Sequence, residues 1–315
     1  MQMNKIRVYA IGGLGNQLFA YAFALALSEF SQIKVEISDK FIAYGSNPGR
    51  QLQLDKFAAN NYQINFIDHS KKINYLIKNS LFFRRIVWKF FHLEKIYSEK
   101  DLLENQVKQS KKISFRDYFQ NWSYAEFIGY KHFLEMNLTQ PKSQFLKQIE
   151  SEIEYRQPIA IHLRMGDYLD FSNIYNLVPQ DYFLEAIEKI QKNEKREVWI
   201  FCENKNEIES YYPIIKQLSN KIIDKSSGIS DLETFYLLSK SKFLVTTNST
   251  FSLWAGWIAS NNNSVVYSYK EGEDSHVSNY HKWSRYVKEN KSFKDPSSEN
   301  LNLLDLKKVF KFLNE

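Results

Sequence analysis

Residues 243–260 read FLVTTNSTFSLWAGWIAS, an apolar run, a cluster of small polar residues and then a second apolar run. FLVTT has the length and β-branched content of a buried strand. Beyond the polar cluster, Phe251, Trp254, Ala255 and Ile258 recur at the spacing of one helix face. The stretch therefore predicts a strand, a short turn and a helix, the repeating unit of a parallel α/β sheet.

The same alternation extends through the second half of the chain. Strand-like runs are IAIHL at 159–163, EVWIF at 197–201 and SVVYS at 264–268, and helix-like faces separate them. Strands that alternate with helices indicate parallel βαβ units and a doubly wound, Rossmann-like sheet. Near the N-terminus a strand-like run at 6–11, the letters GGLGNQ and a helical pattern from Leu18 repeat the arrangement.

Length and composition predict a globular α/β protein of two domains. The chain has 315 residues, of which 43% are apolar and 25% charged, and single cores stop growing near ~250 residues. We expect an N-terminal α/β domain over 1–155 and a C-terminal domain over 156–315 that ends in a closing helix beyond Asp295. The only cysteine, Cys202, excludes an internal disulfide and a cysteine-based metal cluster, which favours a reducing compartment.

The sequence predicts a cytoplasmic location without a membrane-spanning helix, because no secretory signal pattern and no apolar run of ~20 residues is visible. The charge is uneven: residues 66–115 carry 11 Lys or Arg and 5 Asp or Glu. Two interpretations of the basic, aromatic segment 71–91 remain open. It packs an apolar face inward as a helix, or it lies peripherally on the cytoplasmic face of the inner membrane. Without a recognisable reading motif, nucleic-acid binding is not expected.

Ligands of open parallel sheets bind outside the carboxyl ends of the strands, so polar residues that follow a strand are candidate site residues. The first group is Gly12, Gly13 and Gly15 with Asn16, between a predicted strand and helix. Glycines let backbone amides approach a phosphate, and the helix N-terminus favours an anion. A tight packing turn is an equally good interpretation of the three glycines.

Two further groups follow predicted strands. Strand alternation places His162 and Arg164 on one face, where the guanidinium can hold a diphosphate and the imidazole can contact a base or sugar. The alternative is an internal ion pair between Arg164 and Asp167. In the third group, the hydroxyls and amides of Asn248, Ser249 and Thr250 can hold a phosphate at a helix start.

Three motifs resemble a known family. GGLGNQLFAYAFALA at 12–26, HLRMGDY at 162–168 and NSTFSLWAGW at 248–257 are similar, in this order and spacing, to the bacterial α-1,2-fucosyltransferases of glycosyltransferase family 11. GRQLQLDKF at 49–57 and DYFQNWSYAEF at 117–127 also resemble the family. Each piece alone is unspecific, whereas the combination is specific.

The resemblance implies a GT-B-like fold, two Rossmann-like domains facing a cleft, with the nucleotide sugar on the C-terminal domain and the acceptor surface on the N-terminal one. It implies that the donor substrate is GDP-β-L-fucose and that neither a metal nor a cofactor is needed. The acceptor would be a terminal β-galactoside, in a galactose-terminated oligosaccharide or a lipid-linked glycan such as O-antigen. Fucose would be transferred to its 2-hydroxyl, with inversion at the anomeric carbon of the donor.

Carried over by position, Arg164 would grip the β-phosphate, His162 would face guanine, Ser249 and Thr250 would bind the diphosphate, and Asn16 would lie beside the scissile bond. Asp167 has the chemistry of a general base, although no base is assigned from the residues.

The chain departs from the family pattern at two positions. Met165 stands where the HxRRGD motif of the family usually has its second arginine. The acidic residue that is expected to read guanine is displaced, because Thr234 stands in its place, beside Glu233. Two alternatives therefore stay open: transfer of another GDP-deoxyhexose, and a catalytically inert nucleotide- or carbohydrate-binding module.

Overall fold

The computed structural model describes the following residues of the chain: 5–43, 51–56, 64–67, 95–108, 110–129, 143–166, 177–269 and 287–288, together with Leu306 and Phe310. Asp167 and the basic segment 71–91 lie outside them, as does most of the predicted closing helix. The predictions for Asp167 and for 71–91 therefore stay predictions.

The chain forms two compact units, Met1–Thr139 with Glu299–Glu315, and Gln140–Ser298. These units differ from the predicted domains 1–155 and 156–315 at both ends. The helix Gln144–Arg156 belongs to the second unit, where the Ser143 hydroxyl before it donates to Glu233 Oε1 at 2.9 Å. The C-terminal segment belongs to the first unit, because the Phe310 ring packs 4.8 Å from that of Phe30.

The first unit is an α/β layer around a parallel sheet. Among its described residues the strands are β1 (Lys5–Tyr9), β2 (Val35–Ser38), β3 (Ile64–Ile67), β4 (Ile96–Tyr97) and β5 (Lys112–Arg116), in the order β3-β2-β1-β5-β4. The helices are α1 (Leu14–Ser31), α2 (Lys40–Ala43), α3 (Glu99–Leu103) and α4 (Trp122–Ile128). A 3-10 turn covers Leu54–Lys56. The strands β2 and β3 lie on one side of β1, and β5 and β4 lie on the other, so the switch point of this sheet lies between β1 and β5.

Helix α1 is apolar on nearly every side, as expected for a helix covered all round by protein. Its Phe23 ring lies 5.4 Å from Phe115 of β5, 4.0 Å from Phe119 and 5.0 Å from Tyr124 of α4. Within the described residues, no helix is both long and apolar enough to cross a membrane.

The second unit contains a larger sheet. Its described strands are β6 (Ile159–Leu163), β7 (Val198–Cys202), β8 (Lys221–Ile223), β9 (Phe243–Thr246), β10 (Val265–Ser268) and β11 (Val287–Lys288), in the order β11-β10-β9-β6-β7-β8. Its described helices are α5 (Gln144–Arg156), α6 (Gln180–Gln191), α7 (Ile208–Tyr211), α8 (Pro213–Leu218), α9 (Asp231–Lys240) and α10 (Thr250–Asn261). Short 3-10 turns cover Lys205–Glu207 and Lys225–Ser227.

All described pairings in this sheet are parallel except β10 with β11. The predicted strand–helix alternation of the second half is confirmed. Its core joins the sheet to α6 and α8 through fully buried side chains, among them Ile161, Phe183, Ile200, Ile215 and Val245. The order is that of a doubly wound sheet with a switch point between β6 and β9.

Candidate active site

Two loops meet at the switch point of the second sheet. Strand β6 has β7 on one side and β9 on the other, so the chain leaves its carboxyl end beside that of β9. Arg164 follows β6 directly, and residues 247–249 connect β9 to α10. A crevice of this kind is where open parallel sheets bind ligands. The structure thus brings two of the three predicted groups to one edge.

Arg164 is anchored by a residue that the sequence did not single out. Its Nη1 lies 2.5 Å from Oε1 of Glu203, and the two side chains are only 20% and 23% exposed. Asp167 lies outside the described residues, so the alternative of an Arg164–Asp167 ion pair stays a prediction. Neighbouring Met165 is completely buried in the core of the second unit. The position at which the family pattern has its second arginine therefore supplies no guanidinium to this edge of the sheet.

His162 is the last but one residue of β6 and is buried, with 4% of its surface exposed. Its ring centroid lies 5.2 Å from that of Phe251, the second residue of α10. Among the described residues, its buried Nδ1 has no hydrogen-bond partner. Burial, and then the charge of Arg164, lowers the pKa of His162 to about 3. The imidazole is therefore neutral at pH 7, and the prediction that it faces guanine stays a prediction.

The buried imidazole makes stability depend on pH. The pKa of His162 is about 3 in the folded chain and ~6.5 in an unfolded one, so below pH 6.5 the unfolded chain takes up a proton that the folded chain does not. The contribution of His162 to the unfolding free energy is therefore fully present above pH 6.5 and is lost progressively as the pH drops toward 3. Between pH 7 and 5, we expect wild type to lose about 2 kcal/mol more unfolding free energy than His162→Gln. Urea unfolding of both proteins at each pH measures this, and parallel losses would contradict it.

The turn between β9 and α10 is closed by its own hydroxyls. Ser252 Oγ accepts from the Thr247 backbone N–H at 3.1 Å and lies 3.1 Å from Thr247 Oγ1. Ser249 occupies the N-cap position of α10 and is buried, but its side chain makes no capping hydrogen bond in the described structure. Ser252 and Thr247 therefore shape the turn, while the Ser249 hydroxyl is not used for capping.

Glu233 has a structural role. Ser230 caps α9, and Glu233 Oε2 accepts from the Ser230 backbone N–H and hydroxyl at 2.9 Å each, which completes a capping box. Oε1 accepts from Ser143 at the start of α5. Burial raises the pKa of Glu233, but these hydrogen bonds outweigh it and leave the pKa below its usual value. Both oxygens are thus engaged, and guanine recognition by Glu233 stays a prediction.

In the first unit, the glycine loop positions an amide. Gly12 has a φ of +73°, and a Cβ there would lie 2.5 Å from Asn16 Nδ2. Gly13 is the N-cap of α1, and Gly15 lies buried in its first turn. Asn16 Oδ1 accepts from Gln120 Nε2 at 2.9 Å. Because Gln120 holds the oxygen, the NH2 group of Asn16 is the end that lies over Gly12.

The next residue ties a second segment to this loop. The buried amide of Gln17 donates to the carbonyls of Gly12 at 3.2 Å and Gln51 at 3.0 Å, and it accepts from the Gln53 backbone N–H at 2.9 Å. Two of the family-like pieces, 49–57 and 117–127, therefore contact the glycine motif through side chains of adjacent residues, Gln17 and Asn16.

A carboxyl that the sequence did not single out lies at the same edge of the first sheet. Glu99 Oε1 accepts from the Tyr124 hydroxyl at 2.8 Å, and its backbone N–H donates to Asp117 Oδ2 at 3.1 Å. Burial raises the pKa of Glu99 to about 7; the Tyr124 hydrogen bond opposes this shift and the charge of Asp117 adds to it. The only sequence signal was the family-like piece 117–127, which contains both partners.

The chain has two α/β units, each built on a largely parallel sheet with polar residues at its switch point. Two such units are typical of a GT-B-like protein, and solved structures support this fold class. Fucosyltransferase NodZ from Bradyrhizobium superposes with a TM-score of 0.52 at 15% identity, over 87% of this chain and 98% of that one. NodZ alpha-1,6-fucosyltransferase co-crystallized with GDP gives a TM-score of 0.50 at 15% identity, over 82% and 94%. These likenesses establish the fold, and the predicted GT-B-like class is confirmed.

The chain belongs to glycosyltransferase family 11, since the family model described as "Glycosyl transferase family 11" matches residues 5–290. An alpha-1,2-colitosyltransferase of Escherichia coli is 26% identical, over 78% of this chain and 85% of its own length. The O-antigen biosynthesis glycosyltransferase WbnK of Escherichia coli is 24% identical, over 82% and 91%. The predicted family is confirmed, and the protein is a glycosyltransferase related to O-antigen transferases.

Proposed function

We propose that this protein transfers L-fucose from GDP-β-L-fucose to the 2-hydroxyl of a terminal β-galactoside in a cell-surface glycan such as O-antigen. The observation that carries the proposal is the anchored guanidinium of Arg164 at the switch point of the second sheet, beside the hydroxyl turn that begins α10. Support for the linkage and pathway comes from the names of the two Escherichia coli relatives. Support for the nucleotide comes from the GDP of the NodZ crystal.

The reaction is a single displacement at the anomeric carbon. The acceptor oxygen forms a bond to that carbon from the face opposite GDP, the bond to the β-phosphate oxygen breaks, and the electron pair leaves with GDP. The proton of the acceptor hydroxyl passes to a base, for which Asp167 has the chemistry, or to water, and the β-linked donor gives an α-linked product. Negative charge develops on the departing diphosphate, so its stabilisation is the main task of the protein.

Arg164, the Ser249 and Thr250 hydroxyls and the backbone N–H groups in the first turn of α10 supply that stabilisation. Each donor aimed at developing charge is worth roughly 3 kcal/mol. In the first unit, the NH2 of Asn16 is proposed to hydrogen-bond near the bond that breaks. No group of three His, Cys, Asp or Glu side chains suited to a metal occurs in the described parts of the chain, and metal independence remains part of the proposal.

The test is a donor and acceptor matrix with purified protein. GDP-fucose is incubated with terminal β-galactosides, with 2-deoxygalactosides as matched acceptors that lack the proposed nucleophile, and with EDTA in parallel. We expect fucosyl transfer to the galactosides alone, unaffected by EDTA, and an α-1,2 linkage in the product by NMR. Transfer to the 2-deoxy acceptors, or a different linkage, would contradict the proposal.

A second candidate is transfer of colitose, because one relative is named as a colitosyltransferase. Colitose is fucose without its 3-hydroxyl, so GDP-colitose in the same matrix discriminates the two donors by kcat/KM. A GDP-dependent thermal shift without transfer from any donor, the behaviour of an inert nucleotide-binding module, would contradict both candidates.

A further inference from the structure

Glu203 lies beside Arg164 because of the strand register. The last pair between β6 and β7 is Leu163 with Cys202, so Arg164 and Glu203 are the next residues on two adjacent parallel strands. They emerge at the same edge, and their charged groups are 2.5 Å apart. The pairing is thus fixed by the sheet and does not depend on a mobile surface side chain.

The other oxygen of this carboxylate lies close to the backbone of Gly166. A Cβ added to Gly166 would lie 1.6 Å from Glu203 Oε2 and 2.8 Å from its Cδ. The carboxylate therefore rests on the bare Cα of Gly166, two residues after Arg164. This contact gives the glycine of the HLRMGDY motif a physical purpose, because any side chain there would displace Glu203.

One cation besides Arg164 approaches the carboxylate among the described residues. Lys225 Nζ lies 3.8 Å from Glu203 Oε1 and 3.6 Å from Asp231 Oδ1, and its side chain is 56% exposed. An exposed pair at such a distance contributes little. Arg164 is therefore the main partner of Glu203.

We infer that Glu203 is a positioning residue, which holds the Arg164 guanidinium so that its remaining N–H groups meet the departing diphosphate. The inference rests on the proposed function. A guanidinium has five donors in a rigid fork, and Nη1 of Arg164 donates to Oε1 of Glu203. Without Glu203, Arg164 keeps its charge and still attracts the nucleotide, but it loses the ion pair that helps to fix the orientation from which preorganised stabilisation arises.

Glu203→Ala is consequently expected to separate binding from turnover. We expect kcat to fall about 30-fold, because an unoriented donor recovers only part of its effect. The Kd of GDP should stay within about 3-fold of wild type or tighten, since a negative charge near the diphosphate is removed. Glu203→Gln keeps the shape and one acceptor and should be milder. Gly166→Ala displaces the carboxylate without deleting it and should lower kcat to a similar extent.

Glu197→Ala is the matched control. Glu197 forms an ion pair of the same length, 2.5 Å, with Arg156, but it precedes β7 and so lies at the opposite edge of the sheet. Its removal should leave kcat and the Kd of GDP unchanged. Wild-type kcat in Glu203→Ala, or an equal loss of GDP affinity and turnover, would overturn the role of Glu203.

If this protein transfers no sugar, the proposed function is contradicted and kcat cannot test the role of Glu203. The orientation of Arg164 is then measured directly. The Nε–H signal of Arg164 in the GDP complex, assigned by its loss in Arg164→Lys, reports that orientation by 15N NMR. The inferred role predicts a restricted guanidinium in wild type and a rotationally averaged one in Glu203→Ala. Identical spectra would overturn it, whatever the donor.

Discussion

Arg164→Ala is expected to lower kcat with GDP-fucose at least about 1,000-fold, while the protein stays folded. The side chain is only 20% exposed and is anchored at the switch point. Among the described residues, it is the one arginine at the carboxyl edge of the second sheet. The next residue, Met165, is buried in the core and supplies no second guanidinium. Turnover and the thermal unfolding midpoint are measured on the same preparation.

The loss should exceed that of a single neutral donor for a second reason. Removal of the guanidinium leaves the Glu203 carboxylate without its main partner, close to the proposed site of the departing diphosphate. The double variant Arg164→Ala/Glu203→Ala removes this repulsion and should regain about 10-fold over Arg164→Ala. A double variant no better than the single one would show that charge loss alone accounts for the effect.

Arg156→Ala is the control for Arg164→Ala. Arg156 makes an ion pair with Glu197 in the same unit and is 48% exposed, but it ends α5, away from the carboxyl ends of the strands. Its removal should leave kcat at the wild-type value. If Arg164→Ala also retained wild-type kcat, the diphosphate would have to be stabilised elsewhere.

Much of the second unit could be predicted from the sequence, because its strands and helices have clear and different periodicities. The switch point followed from the same pattern, since polar residues directly after apolar strands mark strand ends. Arg164 and the turn around Ser249 were found in this way, and the structure places both at one edge.

The partners of these residues could not be predicted. Glu203 is 39 positions from Arg164, and their contact depends on the register of β6 and β7, which no local pattern encodes. The bounds of the two units differ from the predicted domains for the same reason, because an amphipathic helix such as Gln144–Arg156 does not show which core its apolar face will join.

For Glu233, in contrast, the sequence itself contains the pattern that explains its hydrogen bonds. The letters Ser230 to Glu233 have the S-x-x-E spacing of a capping box before an apolar run. The resemblance directed attention to guanine recognition, and the local spacing, from which no prediction was made, matches the capping box that the structure contains.

Gly12→Ala is expected to lower kcat about 100-fold, the effect of misplacing one preorganised donor. Gly12 has a φ of +73°, and its new Cβ would meet Asn16 Nδ2 at 2.5 Å and Asn16 Cβ at 3.2 Å. Asn16 would have to move, which breaks its hydrogen bond with Gln120 and misdirects the NH2 group. Steady-state kinetics with GDP-fucose measures the loss.

Gly228→Ala separates this displacement from backbone strain. Gly228 has a nearly identical φ of +76°, but nothing lies within 4 Å of a Cβ built on it. The left-handed backbone should cost each variant about 1 kcal/mol of unfolding free energy, measured by urea unfolding, and Gly12→Ala should lose more because it also breaks the Asn16–Gln120 hydrogen bond. Only Gly12→Ala should lose activity, because only there does the methyl group push an amide aside. Equal activity of the two variants would mean that the position of Asn16 over Gly12 is not used in transfer.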